Sequence, residues 1–136
     1  MRVNWDELEN SGDGLLLEWH GVPFTGIAFE LGEGERLVCE VAFQGGQQHG
    51  LAQEWSPSGA IRCEEHYYLG AKHGCSRCWF DDGPLKTETI YELGVKTREC
   101  EWNAQGTLIR QFELTEGDPL HHTLELLRRA YPHSSL

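Results

Sequence analysis

The chain has 136 residues, with 22 acidic and 11 basic side chains and a net charge of −11. That length suits one domain. The balance disfavours phosphate-rich partners such as nucleic acid and anionic lipid, which such a surface repels, and favours a basic protein partner. The plainer reading is that surplus acid keeps the chain soluble and monomeric.

The excess is uneven, since residues 1–35 hold eight carboxylates against Arg2 alone. Met1 to Leu8 contains no apolar signal-like stretch, and no run approaches membrane-spanning length, so the expectation is a cytoplasmic protein with no membrane partner. Five cysteines (39, 63, 75, 78 and 100) without an export signal point to reduced thiols. Residues 1–17 read as an acidic N-terminal cap, with the sheet starting at Leu15-Leu16-Leu17.

From there the sequence repeats. Trp19, Phe43, Tyr67 and Tyr91 recur every 24 residues, as do Gly26, Gly50 and Gly74, Leu37, Ile61 and Leu85, and Glu40, Glu64 and Glu88. One deletion shortens the next step to 23, carrying Trp79 to Trp102 and Gly83 to Gly106. Such a period marks an array of supersecondary units, which presents a long regular surface. In residues 61–84, Ile61 to Tyr67 alternates as a strand, with Ile61, Cys63 and Tyr67 on one face and Arg62, Glu64 and His66 on the other. Tyr68 to Gly74 is a turn, Cys75 to Phe80 the return strand, and Asp81-Asp82-Gly83-Pro84 a second turn. A 24-residue unit holding two strands and two turns leaves no room for a helix.

The predicted fold is therefore all-β: a repeat array of antiparallel hairpins over residues 18–114, forming one extended twisted meander sheet. Trp19, Phe43, Tyr67 and Tyr91 should form one aromatic row, and Trp55, Trp79 and Trp102 a companion row. A meander has two open edges that need covering. At the carboxyl end, Asp118 suits an N-cap and Pro119 the first helical position. Leu120, Leu124, Leu127 and Tyr131 follow at helical spacing, and Pro132 stops the run. Arg128 and Arg129 sit where the helix dipole favours cations. A short capping helix over 118–131, its apolar stripe packed on the last strands, should finish the fold.

The repeated string resembles the MORN-variant repeat. It reads Phe43-Gln-Gly-Gly46-Gln-Gln-His-Gly50 with Glu54-Trp55, then Tyr67-Tyr-Leu-Gly70-Ala-Lys-His-Gly74 with Cys78-Trp79. The opening Gly21-Val-Pro-Phe-Thr-Gly26 is similar to that of bacterial proteins called YwqK-family antitoxins. The resemblance covers roughly residues 15–114, and the fourth unit departs from it, because Tyr91 to Arg98 lacks the His-Gly pair. It implies a binding platform, and for small stand-alone bacterial versions an antitoxin or immunity protein beside a polymorphic toxin. It supplies no catalytic residues.

Candidate chemistry is thin. Cys75 and Cys78 lie three residues apart on one strand, so their side chains point to opposite faces and cannot join one zinc or redox site without breaking it. Cys39 and Cys63 share a face but lie too far apart for a disulfide. Packing is the expected role for all five cysteines, and no metal or other cofactor is expected. His49 and His73 recur without a nucleophile and read as turn-stabilising groups. His121-His122 reads as a solvated pair. The ladder of Glu40, Glu64 and Glu88 invites acid–base chemistry, but an active site is asymmetric whereas a scaffold is periodic. Cross-strand pairing with Arg62, Arg77 or Lys86 is the expected role.

The function read from the chain is an immunity protein or antitoxin, not an enzyme, that binds a basic toxin surface directly. Its candidate contacts are the acidic Glu30, Glu33, Glu35, Glu54, Asp81 and Asp82 and the aromatic anchors Trp55, Trp79 and Trp102. The alternatives are a scaffold or assembly protein without a toxin and, more remotely, a hydrolase using the carboxylate ladder.

Overall fold

The structure is a computed structural model and describes residues 1–134. In chain order its strands are β1 (Arg2–Asn4), β2 (Glu9–Asn10), β3 (Leu17–Trp19), β4 (Val22–Pro23), β5 (Gly26–Leu31), β6 (Leu37–Gln44) and β7 (Gln47–Trp55). Then come β8 (Ile61–Tyr68), β9 (Ala71–Lys72), β10 (Gly74–Trp79), β11 (Leu85–Glu92), β12 (Val95–Trp102) and β13 (Leu108–Glu113), and last the helix α1 (Pro119–Ala130). The long sheet runs β1-β5-β6-β7-β8-β10-β11-β12-β13, with β9 beside β8. Sequential neighbours pair antiparallel, so the all-β hairpin meander with a C-terminal helix is what the structure shows.

Each hairpin bends at a two-residue turn in which both central residues have positive φ: His20-Gly21, Gly45-Gly46, Leu69-Gly70 and Leu93-Gly94. That is the pattern of a type I′ turn, whose twist matches the strands it joins. Beyond the turn the strands slip. Tyr67 pairs with Lys72, yet Glu64 pairs with Arg77, so two extra residues bulge out of the returning strand. Those residues are the repeated His-Gly pair, and Gly74 takes φ 106° there, a backbone that L side chains rarely adopt. In the fourth hairpin Tyr91 pairs with Lys96 and Ile90 with Arg98, a slip of a single residue. The missing residue of the 23-residue step is thus a shortened bulge, and the turn itself is intact.

The aromatic and glycine periods have one cause. Phe43, Tyr67 and Tyr91 stand directly opposite Gly26, Gly50 and Gly74 on the neighbouring strand, which leaves each ring room to lie across the sheet. Trp19 does not join this row. It lies in a separate three-stranded sheet, β2-β3-β4, because β1 takes the edge position beside β5 and runs parallel to it. There Trp19, with Trp5, Leu8, Leu17 and Val41, packs on the buried cluster of Val3, Phe24, Ala28 and Phe43. One edge of the meander is covered in this way.

The other edge is not. Apart from Phe112, every residue of β13 is exposed. In α1 Leu124 is buried, whereas Leu120 and, at the C-cap just beyond the helix, Tyr131 are exposed, so the predicted apolar stripe packs only around its middle. Asp118 holds the N-cap position, but its carboxylate accepts from the Thr115 N–H at 2.9 Å and does not turn into the helix. Arg128 ties the helix down by donating to both carboxylate oxygens of Glu92, at 2.6 and 2.7 Å.

Candidate functional site

The meander has two unlike rims. At one rim lie the I′ turns, and each is held by the unit before it. The Leu69 N–H donates to Nδ1 of His49 at 3.1 Å and the Leu93 N–H to Nδ1 of His73 at 2.9 Å. The Gly45 N–H donates to Oγ1 of Thr25 at 2.9 Å, so Thr25 fills the place of the histidine in the first unit. Backbone bonds run alongside, from Gly46, Gly70 and Gly94 to the carbonyls of Phe24, Gln48 and Lys72, each 2.8 Å. The repeated histidine therefore stabilises a turn, as expected, but the turn of the next unit. The fourth unit carries Thr97 there and has no further hairpin to hold. Tyr68 adds to the array, its ring centroid 5.4 Å from those of both His49 and His73.

The opposite rim carries the five-residue loops 32–36, 56–60, 80–84 and 103–107. The loops are closed by matching bonds, such as Ser56 N–H to Ala60 O at 2.8 Å and Phe80 N–H to Pro84 O at 2.9 Å. Most of the sequence-derived contact residues gather here. Glu33, Glu35, Asp81 and Asp82 are exposed on these loops. Trp55, Trp79 and Trp102 end the strands that enter the loops and stand opposite Ile61, Leu85 and Leu108. All three tryptophans are half-buried. Arg62 reaches across the rim to Glu54 and Asp81, both at 3.6 Å, and lies against a hollow of about 440 Å³ with Trp79, Phe80 and Lys86. These ion pairs are largely solvent-exposed, so each adds little to stability.

Glu30 and Glu54 lie one step in from the rim, on the face where Glu30, Cys39, Glu54 and Cys63 stand opposite one another on consecutive strands. This row lines a trough of about 400 Å³ whose other lining residues include Trp5, Asp6, Val41, Ala52, Glu65 and Tyr67. The carboxylates mark it electrically. Burial, with Glu30 next, pushes the Cys39 thiol above its ordinary value. Burial and a hydrogen bond to Glu65 raise the Tyr67 hydroxyl to about 12. Trp5, Asp6, Cys39, Glu65 and Tyr67 are not among the contact residues expected from the sequence, which places Cys39 in packing and Tyr67 in an aromatic row, although strand parity from Glu54 and Cys63 leads to Glu65 and Tyr67.

On the other face the glutamate ladder is paired. Glu40 meets Arg2 at 3.3 Å, Glu64 accepts from Gln53 at 2.9 Å and Glu88 from Arg77 at 2.9 Å. His121 approaches Glu125 at 3.4 Å, one helical turn on, and His122 is exposed.

The cysteines depart from expectation. Cys63 and Cys78 face each other across β8 and β10, with Cα atoms 4.1 Å apart, and form a disulfide. A hairpin regular from Leu69-Gly70 onward would set Ser76 opposite Cys63, and the two-residue bulge brings Cys78 there instead. Reduced thiols are therefore the state of Cys39, Cys75 and Cys100 alone.

No family model matches the chain, and no curated protein matches it in sequence. Among solved structures, accessory secretory proteins 1, 2 and 3 of Streptococcus pneumoniae are similar over 94% of this chain and 28% of that one, with 14% identity and a TM-score of 0.39. A GtfA/B complex bound to UDP and GlcNAc is similar over 88% of this chain and 26% of that one, with 14% identity and a TM-score of 0.35. The chain spans little more than a quarter of either structure, and at these TM-scores the likeness carries no functional meaning.

Proposed function

We propose that this chain is a non-enzymatic protein-binding platform of the MORN-variant kind, acting as an immunity protein or antitoxin that neutralises a cognate bacterial toxin by direct contact. The observation that carries the reading is the loop rim. Successive hairpins present Glu33, Glu35, Asp81 and Asp82 beside the indoles of Trp55, Trp79 and Trp102 at one end of the sheet, while the turns, the main apolar cluster and the histidine contacts lie towards the other. Charged groups around partly covered aromatic anchors suit a rigid interface, in which a few rings supply affinity and the surrounding charge speeds encounter. The net charge of −11 selects a basic toxin surface. The toxin assignment itself rests on the family resemblance.

The test is co-purification with the product of the neighbouring gene, followed by association rates at rising salt. Steering by the acidic rim predicts a stable complex whose association rate falls steeply as salt screens the surface. A rate indifferent to salt removes the acidic rim from the account. The absence of any complex removes the toxin partner and leaves the scaffold reading.

A further inference from the structure

We propose that the trough on the Cys39 face is the specificity pocket of this platform, and that it takes an arginine-bearing segment of the partner protein. The inference deepens the reading above and rests on it. The trough has the volume of a small-ligand site, about 400 Å³. Its floor includes Val41 and Ala52, its walls carry the rings of Trp5 and Tyr67, and its carboxylates include Glu30 and Glu54. Among the described residues no lysine or arginine lines it, and the cations that touch its carboxylates do so from outside. Arg62 meets Glu54 at 3.6 Å across a largely exposed pair and Lys72 meets Glu65 at 3.4 Å, which leaves Glu30 without a cationic neighbour in the trough. An arginine side chain has the matching parts: an aliphatic stem for an apolar floor, a flat cation for aromatic walls, and a forked donor for carboxylates.

Two further features favour this occupant over a loose counter-ion. Glu30, Cys39, Glu54 and Cys63 sit directly opposite one another on successive strands, so the sheet fixes the spacing of the carboxylates. Independently, the raised Cys39 thiol and Tyr67 hydroxyl are both shifted in part by neighbouring carboxylates, in the sense that a cation would relieve. The trough is also held from two sides. The N-terminal segment contributes Trp5, whose ring lies 5.5 Å from that of Phe43, and the disulfide at Cys63 ties its far wall to β10. Such fixed walls reduce the ordering cost of binding.

The probe is a blocked Gly-Arg-Gly-Arg-Gly peptide, compared with its citrulline counterpart, which has a similar shape and no charge. Binding is followed by the backbone and indole resonances of the isotope-labelled full chain. The arginine peptide should bind about tenfold more tightly than the citrulline peptide, as expected for charge-assisted hydrogen bonds, and should shift Trp5, Cys39 and Tyr67. Glu30→Gln with Glu54→Gln should cost about tenfold in affinity, whereas Glu113→Gln with Glu116→Gln, which removes the same charge from exposed positions outside both the trough and the loop rim, should cost less than about twofold. Thermal melts of both variants confirm that they are folded. Equal losses in the two variants, or shifts confined to residues outside the trough, overturn the proposal. A toxin complex that forms unchanged with Glu30→Gln and Glu54→Gln also overturns it, yet leaves the function above standing. Loss of that complex in this variant but not in the Glu113→Gln with Glu116→Gln variant supports it.

Discussion

The two rims of the sheet are built from the same 24-residue repeat but spend their side chains differently. At the turn rim the repeated positions look inward along the array: Thr25, His49 and His73 each hold the next turn, and Phe24 and Phe43 fill the apolar cluster. At the loop rim the repeated tryptophans support the strand ends, while the loop residues between them vary from Glu33-Gly-Glu35 to Pro57-Ser58 to Asp81-Asp82 to Ala104-Gln105. Where the sequence must keep the fold it is periodic. Where it is free of that duty it varies, and partner specificity has room to reside there. If the division holds, substitutions at the turn rim should change stability and leave association alone, and substitutions at the loop rim should do the reverse.

The largest effect should come from Phe24→Ala. Phe24 is only 2% exposed at the centre of the main apolar cluster, and emptying such a site costs about 3–5 kcal/mol. Denaturant unfolding should show the loss, with destabilisation of about 0.5 kcal/mol or less for Glu33→Gln as the loop-rim counterpart. Similar losses in both variants would dissolve the contrast.

His73→Ala comes next. It deletes the acceptor of the buried Leu93 N–H, and an unpaired buried donor costs about 1–3 kcal/mol. Hydrogen exchange at Leu93 should rise more than at Leu69, whose own acceptor, His49, is untouched. An unchanged Leu93 amide would show that the bond is incidental.

The bond between α1 and the turn rim is pH-dependent. The hydrogen bond from Arg128, opposed in part by burial, holds the Glu92 carboxyl below its ordinary value of 4.5. A carboxyl lowered in the folded state adds stability that is fully present above about pH 4.5 and is lost as the pH falls through its lower folded value. Far-ultraviolet melts below pH 4.5 should show α1 loosening ahead of the sheet, and Glu92→Gln should weaken the helix at neutral pH while removing that acid-side drop. An acid-side drop of the same size in Glu92→Gln would assign it to another group.

Much of this was legible in the sequence, because a period forces equivalent residues into equivalent places. The hairpins, the turns, the helix and the faces of β8 follow from spacing alone. What was hidden depended on slips in register and on contacts between distant segments. The Cys63–Cys78 disulfide needs the two-residue bulge to align its halves, and although Cys63 repeats Cys39 one period on, Cys78 has no counterpart in the neighbouring units. The departure of Trp19 from the aromatic row follows from β1 taking the edge beside β5 in parallel, a choice that no local pattern records. The trough was half visible: Glu30 and Glu54 stood out by charge, whereas Trp5 and Asp6 reach it only because the amino terminus folds back.

The smallest effect is also the most discriminating, because it should stabilise. Leu69 occupies the first central position of its I′ turn at φ 47° and is 42% exposed. A branched aliphatic side chain is strained in that backbone, whereas asparagine adopts it readily and Asn-Gly is the favoured pair for such turns. The His49 contact reaches the backbone N–H of residue 69, so a new side chain leaves the acceptor in place. Leu69→Asn should therefore raise stability by about 0.5–1 kcal/mol. Leu93 has the same strain, at φ 50°, but is only 8% exposed. Leu93→Asn gains the turn preference and loses buried apolar area, so it should destabilise. Opposite signs at two positions one period apart would show that the repeat fixes the backbone while burial decides which side chain it can bear. The same sign at both would mean that turn strain alone sets the outcome.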